Sequence, residues 1–243
     1  MCSLVECCPF PAAPPTELAL TKPAAEPEIS VYERVMGDID TGALAGGERL
    51  KVAQLAERYG VSTSPVREVL RQLQGEGFVE FSQNRGATVR KADAETITEI
   101  FELLQLLEPY FLAWFAEFVQ PGQLAELETI QARVAATPVT ERAAFARIDA
   151  EFHGYMYERH YNRRAVEIWK RQRRALNVFS LGLSIGTKRE RAIMVEHREL
   201  LDALGAGEPD VAAQVIRRHI RGSGEHMAQQ MKVLDAGARR AAE

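Results

Sequence analysis

The chain has 243 residues, 46% of them hydrophobic, with a formal net charge of −4 at pH 7. That length leaves room for two domains, and no run of 18 apolar residues exists, which argues against a helical membrane span. The three cysteines, Cys2, Cys7 and Cys8, crowd the first ten residues, so neither a disulfide framework nor a cysteine metal site holds the fold, and a reducing, cytoplasmic setting fits.

Residues 1–29 are rich in Pro, Ala and Glu without periodicity and read as a flexible arm. Their opening, MCSLVECC, lacks a basic n-region and a long apolar core, which argues against a secretory signal. VYERVMGDIDTG then predicts a first helix, and GERLK a short strand edge. VAQLAERYG predicts an amphipathic helix from Val52 to Tyr59, stopped by Gly60. The stretch VSTSPVREVL begins another. Ser64 is placed to accept from the free N–H groups of the first turn, with Pro65 at the first helical position. Val66, Val69, Leu70 and Leu73 fall at helical spacing as a buried stripe, leaving Arg67, Glu68, Arg71, Gln72 and Gln74 outside it. Gly75 and Gly77 close this helix.

Two short helices joined by a tight turn fit a helix-turn-helix, or an ordinary helical hairpin. The residues after Gly77 separate these alternatives. FVEF (Phe78–Phe81) and ATVRK (Ala87–Lys91) alternate as strands, with SQNRG as the turn between them. Helices followed by a hairpin with a basic tip at Arg85 and Gly86 predict a winged helix-turn-helix over residues 30–92.

The run ALAGGERLKVAQLAERYGVSTSPVREVLRQLQGEGFVEFSQNRGATV resembles the DNA-binding domain of GntR-type bacterial transcription regulators across most of residues 32–90. The resemblance implies DNA contact by Arg49, Lys51, Ser62, Thr63, Ser64, Pro65, Arg67, Arg71, Arg85 and Gly86. Thr63 departs from the family, which commonly carries an arginine at that place, so the base preference there is open. Residues 30–92 hold nine Lys/Arg against eight Asp/Glu. For phosphate contact the local face matters more than the total, and Arg49, Lys51, Arg67, Arg71, Arg85 and Arg90 are expected to share one side. So weakly charged a domain is expected to bind double-stranded DNA usefully only as a homodimer, on a short inverted repeat.

Beyond Asp93 the pattern is helical throughout. Apolar-periodic segments cover roughly residues 93–117, 122–135, 140–160, 162–183, 188–206 and 210–231, with turn or cap residues at each break. They predict an antiparallel bundle over residues 93–233, followed by a flexible tail, 234–243. FELLQLLEPYFLAWFAEF is apolar nearly all round and belongs at the centre or at an interface, and Pro109 within it is expected to kink the helix. The fold class is therefore mostly α, a winged helix-turn-helix before a helical bundle.

Asp149 and His153 lie four apart and share a helix face. His197 and His219 lie on two further predicted helices. One carboxylate and three imidazoles from three helices can converge on a divalent metal, although each histidine taken singly is more often a surface or satisfied core residue. His160 and His226, near helix ends, keep that ordinary reading.

The bundle resembles the FCD ligand-binding domain of the FadR branch of GntR-type regulators. The matching positions are Asp149, Phe152, His153 and Asn162, then Glu196, His197, Arg198, Leu200, Leu201 and Ala203, and finally Ala213, Arg217 and His219. The resemblance implies that Asp149, His153, His197 and His219 hold a metal, most often zinc, sometimes nickel or manganese. It further implies a small organic-acid effector, and repression as the commoner role. Leu104 stands where many relatives carry an arginine able to pair with an effector carboxylate, so the effector is either less acidic or held by the metal and another cation.

Metal binding is expected to weaken as pH falls through the histidine range near 6.5. Effector binding would then bias the bundle's packing and the spacing of the dimer's recognition helices. Two other readings stand beside this one: a metal-dependent hydrolase, for which Glu151 and Glu196 are the neighbouring carboxylates, and a regulator whose metal is purely structural.

Overall fold

The computed structural model describes residues 29–82 and 86–241. Residues 1–28 of the expected arm lie outside the described residues, as does Arg85.

The first layer follows the predicted order: α1 (Val31–Asp40), β1 (Arg49–Leu50), α2 (Val52–Tyr59), α3 (Thr63–Glu76), β2 (Val79–Ser82) and β3 (Gly86–Val89). The three strands pair antiparallel in the order β1-β3-β2, with Arg49 opposite Thr88 and Val79 opposite Val89. Gly60, at φ 66°, takes the left-handed turn that ends α2, and its N–H donates back to the last turn. Gly77, at φ 87°, does the same for α3, while Gly75 stays inside that helix. Val66, Val69, Leu70 and Leu73 are all buried, as their spacing predicts.

The start of α3 lies two residues earlier than expected. Ser62, not Ser64, is the N-cap, in extended conformation and without a side-chain cap bond. Pro65 therefore sits third in the helix. It is tolerated there because the first-turn N–H groups have no intrahelical acceptor.

The second layer consists of α4 (Ala94–Phe118), α5 (Pro121–Ala136), α6 (Arg142–Tyr157), α7 (Arg163–Phe179), α8 (Thr187–Ala206) and α9 (Pro209–Ala241). Asp93 caps α4 by accepting from the Thr96 N–H at 2.8 Å, and Asn162 caps α7 by accepting from the Ala165 N–H at 3.2 Å. The expected tail from residue 234 is helical to Ala241, because the Ala- and Arg-rich end suits a helix.

Helix α4 runs continuously through Pro109 and forms the middle of the bundle. Ile97, Leu104, Phe111 and Leu112 on it are fully buried, each stabilising the fold by roughly 1.5–3 kcal/mol. Its neighbour α9 packs so closely that a Cβ on Gly224 would lie 2.8 Å from the Phe101 ring.

The two layers share α7. Its body packs in the bundle core through Val166, Trp169 and Leu176, whereas Val178 near its end belongs to the winged-helix core. Arg174 of α7 also donates to the Asp40 carboxylate at the end of α1, at 2.8 Å from Nη2.

Candidate metal centre and nucleic-acid-facing surface

Three helices of the bundle contribute one site. Four residues apart on α6, Asp149 and His153 project from one face, while α8 supplies His197 and α9 supplies His219. One donor atom from each of the four lies within 4.8 Å of the other three. The imidazole rings stand close, with centroids 5.3 Å apart for His153–His197, 5.0 Å for His153–His219 and 4.9 Å for His197–His219. His153 is fully buried and His197 is 1% exposed. All four residues named from the sequence are brought together here.

Several donor atoms in this cluster make no hydrogen bond. His153 Nδ1 and Nε2, His197 Nε2 and Asp149 Oδ1 are buried without a hydrogen bond among the described residues. Leaving buried polar atoms unpaired is costly, and a shared cation would satisfy them together.

Neighbouring side chains turn the donors inward. The Gln131 carbonyl, on α5, lies 2.7 Å from His197 Nδ1, so that nitrogen donates and Nε2 keeps its lone pair, 3.7 Å from Asp149 Oδ1. The Glu196 carboxylate lies 3.0 Å from His219 Nδ1 and fixes that ring in the same way. Arg173 of α7 donates to Asp149 Oδ2 at 3.1 Å and leaves Oδ1 facing the imidazoles.

The electrostatics favour ligand-ready protonation states. Burial pushes His197 down to about 3, aided by the nearby His219. Burial likewise holds His153 well below its ordinary value. For Asp149, burial raises the pKa, but Arg173 and the His197 and His219 imidazoles outweigh it and hold the carboxyl low. Two neutral imidazoles, the His219 ring beside them and one ionised carboxylate suit a borderline divalent cation. The donor set therefore fits a metal.

A chamber of about 50 Å³ adjoins Asp149 and His219, bordered by Arg142, Arg173, Phe145 and Met227. It has room for about three or four waters. Leu104, at the place of the relatives' arginine, is fully buried in the apolar core, so the cations at the chamber are Arg142 and Arg173.

Sequence reasoning missed those two arginines, and Gln131 and Arg189 as well. From the sequence Glu196 is named only as a carboxylate neighbouring the ligands. Glu196 is only 6% exposed and pairs with both Arg189 and His219, which together outweigh burial and hold it at about 2. Glu151, by contrast, pairs with Arg133 at the surface. His160 is a buried core residue, its Nδ1 accepting from the Asn162 N–H at 3.1 Å amid Tyr110, Trp114 and Tyr161, while its Nε2 has no hydrogen-bond partner among the described residues. His226 lies half-buried, with Nε2 3.0 Å from the Ser184 carbonyl.

On the winged helix, Arg49, Lys51, Ser62, Thr63, Ser64, Arg67, Arg71 and Gly86 are exposed and Pro65 is half-buried. Arg49, Lys51, Arg67 and Arg71 make no ion pair among the described residues, so their charge is available to phosphate. Gly86, at φ 70°, turns the chain into β3 where the wing begins its return.

Comparison with known proteins places these two layers in families. Residues 28–89 match the bacterial regulatory proteins of the gntR family, and residues 99–222 match the FCD domain. YdhC, an HTH-type transcriptional regulator of Bacillus subtilis, is 23% identical over 201 residues, which cover 82% of this chain and 90% of YdhC. The galactonate operon transcriptional repressor of Escherichia coli is 24% identical over 185 residues, covering 67% of this chain and 79% of the repressor. The solved structure of E. coli McbR superposes with a TM-score of 0.67 at 23% identity, over 82% of this chain and 96% of McbR, which shows a common fold.

Proposed function

Because the chain belongs to the gntR family of bacterial regulatory proteins and carries an FCD domain, which makes it a transcription regulator rather than an enzyme, we propose that it is a repressor whose DNA binding responds to a small organic acid sensed beside a divalent metal. Residues 30–92 bind the operator. Residues 93–233 hold the sensor and the dimer contact.

The observation that carries this reading is the buried Asp149–His153–His197–His219 cluster with its unpaired donors. These four residues would hold the ion, zinc before nickel or manganese, and the ion would supply a Lewis-acidic position for an effector oxygen. Arg142 and Arg173 border the adjoining chamber and offer the cation for an effector carboxylate that Leu104 cannot provide. The chamber is small, so a larger acid must part α6, α8 and α9, and α7 runs from the chamber into the winged-helix core through Val178. A ligand-driven shift of α7 therefore reaches α1 and the DNA-binding layer.

On DNA, Arg67 and residues 62–64 at the start of α3 face the bases or nearby phosphates, with Arg49, Lys51 and Arg71 on the backbone and Arg85 with Gly86 at the wing. The homodimer would use the exposed apolar face of α4, where Leu103, Leu106 and Tyr110 fall on one side at helical spacing and Leu106 is 72% exposed.

Elemental analysis of the purified protein tests the centre. About one divalent ion per chain, lost in His197→Ala/His219→Ala, supports it. Metal-free protein that keeps an effector response at the operator refutes it. A purely structural metal would instead lower thermal stability on stripping and leave the effector response unchanged.

A further inference from the structure

Beside the metal centre, sharing Arg142, Ala146, Arg173, Asn177 and Ser180 with its chamber, lies a larger cleft of about 640 Å³, bounded by the end of α1 and the outer faces of α6 and α7. Its size falls within the range of small-molecule sites. Five cations border it: Arg142 and Arg147 from α6, and Lys170, Arg173 and Arg174 from α7. Two carboxylates, Asp40 and Glu158, line the cleft against them, and Arg173 is held from behind by Asp149 at 3.1 Å.

The pairing inside the cleft is loose. Arg147 is exposed and makes no hydrogen bond or ion pair among the described residues. Lys170 reaches Glu158 at 3.4 Å with both side chains about half exposed. Arg174 holds Asp40 through Nε at 3.3 Å and Nη2 at 2.8 Å. The two side chains of this pair are 41% and 33% exposed, so water and a competing carboxylate can reach Arg174. Leu181, 44% exposed, adds apolar surface for a carbon skeleton.

We propose that this cleft is a second ligand site, which takes a small di- or tricarboxylate, and that the ligand draws Arg174 away from Asp40 and loosens α1 from α7. Arginine forks match carboxylates in pairs, and the cleft presents Arg147 and Arg174 with Lys170 between the two domains. Asp40 occupies the place of the ligand's carboxylate in the ligand-free state. The site needs no metal, and only its consequence for the operator rests on the DNA-binding reading above.

Equilibrium dialysis with tricarballylate, a tricarboxylate lacking a chelating hydroxyl, at constant ionic strength tests the proposal. Saturable binding is expected in the wild type and, unchanged, in His197→Ala/His219→Ala. Arg147→Gln/Lys170→Gln should weaken it about tenfold or more, as for loss of hydrogen bonds to charged groups. Asp40→Asn, which removes the competitor, should tighten it, and amide exchange along α1 should rise on binding. Absence of saturable binding overturns the proposal. So does binding that survives the Arg147/Lys170 change or disappears with the centre's histidines, and in that last case the metal-centre reading stands alone.

Discussion

Gln131→Leu isolates one hydrogen bond behind the metal centre. In the native protein the Gln131 carbonyl accepts from His197 Nδ1 at 2.7 Å, and both side chains are buried, at 5% and 1% exposure. That bond decides which ring nitrogen carries the proton and keeps the Nε2 lone pair directed at the cluster. Leucine has a similar volume, so the core stays filled, but it leaves the Nδ1–H buried with no acceptor. An unsatisfied buried donor costs about 1–3 kcal/mol. The ring escapes that cost by turning or by moving its proton to Nε2, and either move withdraws the ligand. Expressed as affinity, the loss is about 10–100-fold, the usual effect of removing a hydrogen-bond partner behind a ligating histidine.

Competition against a chromophoric chelator measures this directly, and circular dichroism confirms that the variant remains folded. Gln131→Glu is the companion variant. It retains an acceptor and adds negative charge behind the imidazole, so its affinity should match or exceed the wild type. Wild-type affinity in the leucine variant, or an equal fall in both variants, would refute the role assigned to Gln131.

Metal-free protein should lose stability as pH falls below about 6.5. Burial depresses His153 and His197, so the unfolded chain takes up those protons first, and the stability present above 6.5 declines as pH falls, for His197 toward pH 3 by up to about 1.4 kcal/mol per pH unit. Urea titrations at pH 7.5, 6.5 and 5.5 check this, and a flat profile would contradict it. Gly224→Ala should destabilise the bundle by about 1–3 kcal/mol, because the new methyl meets the Phe101 ring at 2.8 Å, and the thermal midpoint reads that loss. Arg67→Ala should weaken operator binding more than binding to unrelated DNA, whereas Lys51→Ala should weaken both alike and reduce the salt slope by about 1, as gel-shift titrations at several salt concentrations would show.

Local chemistry made the winged helix legible. Gly60 and Gly77 end helices because each must adopt a left-handed conformation, and that need is visible in the sequence. The stripe of Val66, Val69, Leu70 and Leu73 is equally local. The misplaced cap came from Pro65. Proline favours the first helical position without requiring it, and three small hydroxyl residues in a row offer three starts of similar energy. The continuation of α9 past Met231 was hidden for a different reason. Apolar periodicity marks only the part of a helix that packs, and the last turns carry Ala and Arg instead.

The ligands and their supports differ in the same respect. Asp149 and His153 announce a shared face by their spacing, and histidine is rare enough in this chain for His197 and His219 to stand out. Gln131 and Arg173 carry no such mark. A polar residue on an amphipathic helix reads as solvent-facing, and only the packing of α5 and α7 turns these two inward, with Gln131 66 residues from the histidine it orients. Arg189 shows that such a contact can still leave a trace. Its guanidinium crosses to the His219 carbonyl and to Ser223, and a Cβ on Gly222 would lie 2.6 Å from Nη1. Glycine in mid-helix is unfavourable by about 1 kcal/mol. The RGSG run in α9 is therefore explained by what must pass beside it, Arg189 at Gly222 and Phe101 at Gly224, one turn beyond the histidine that the arginine helps to hold.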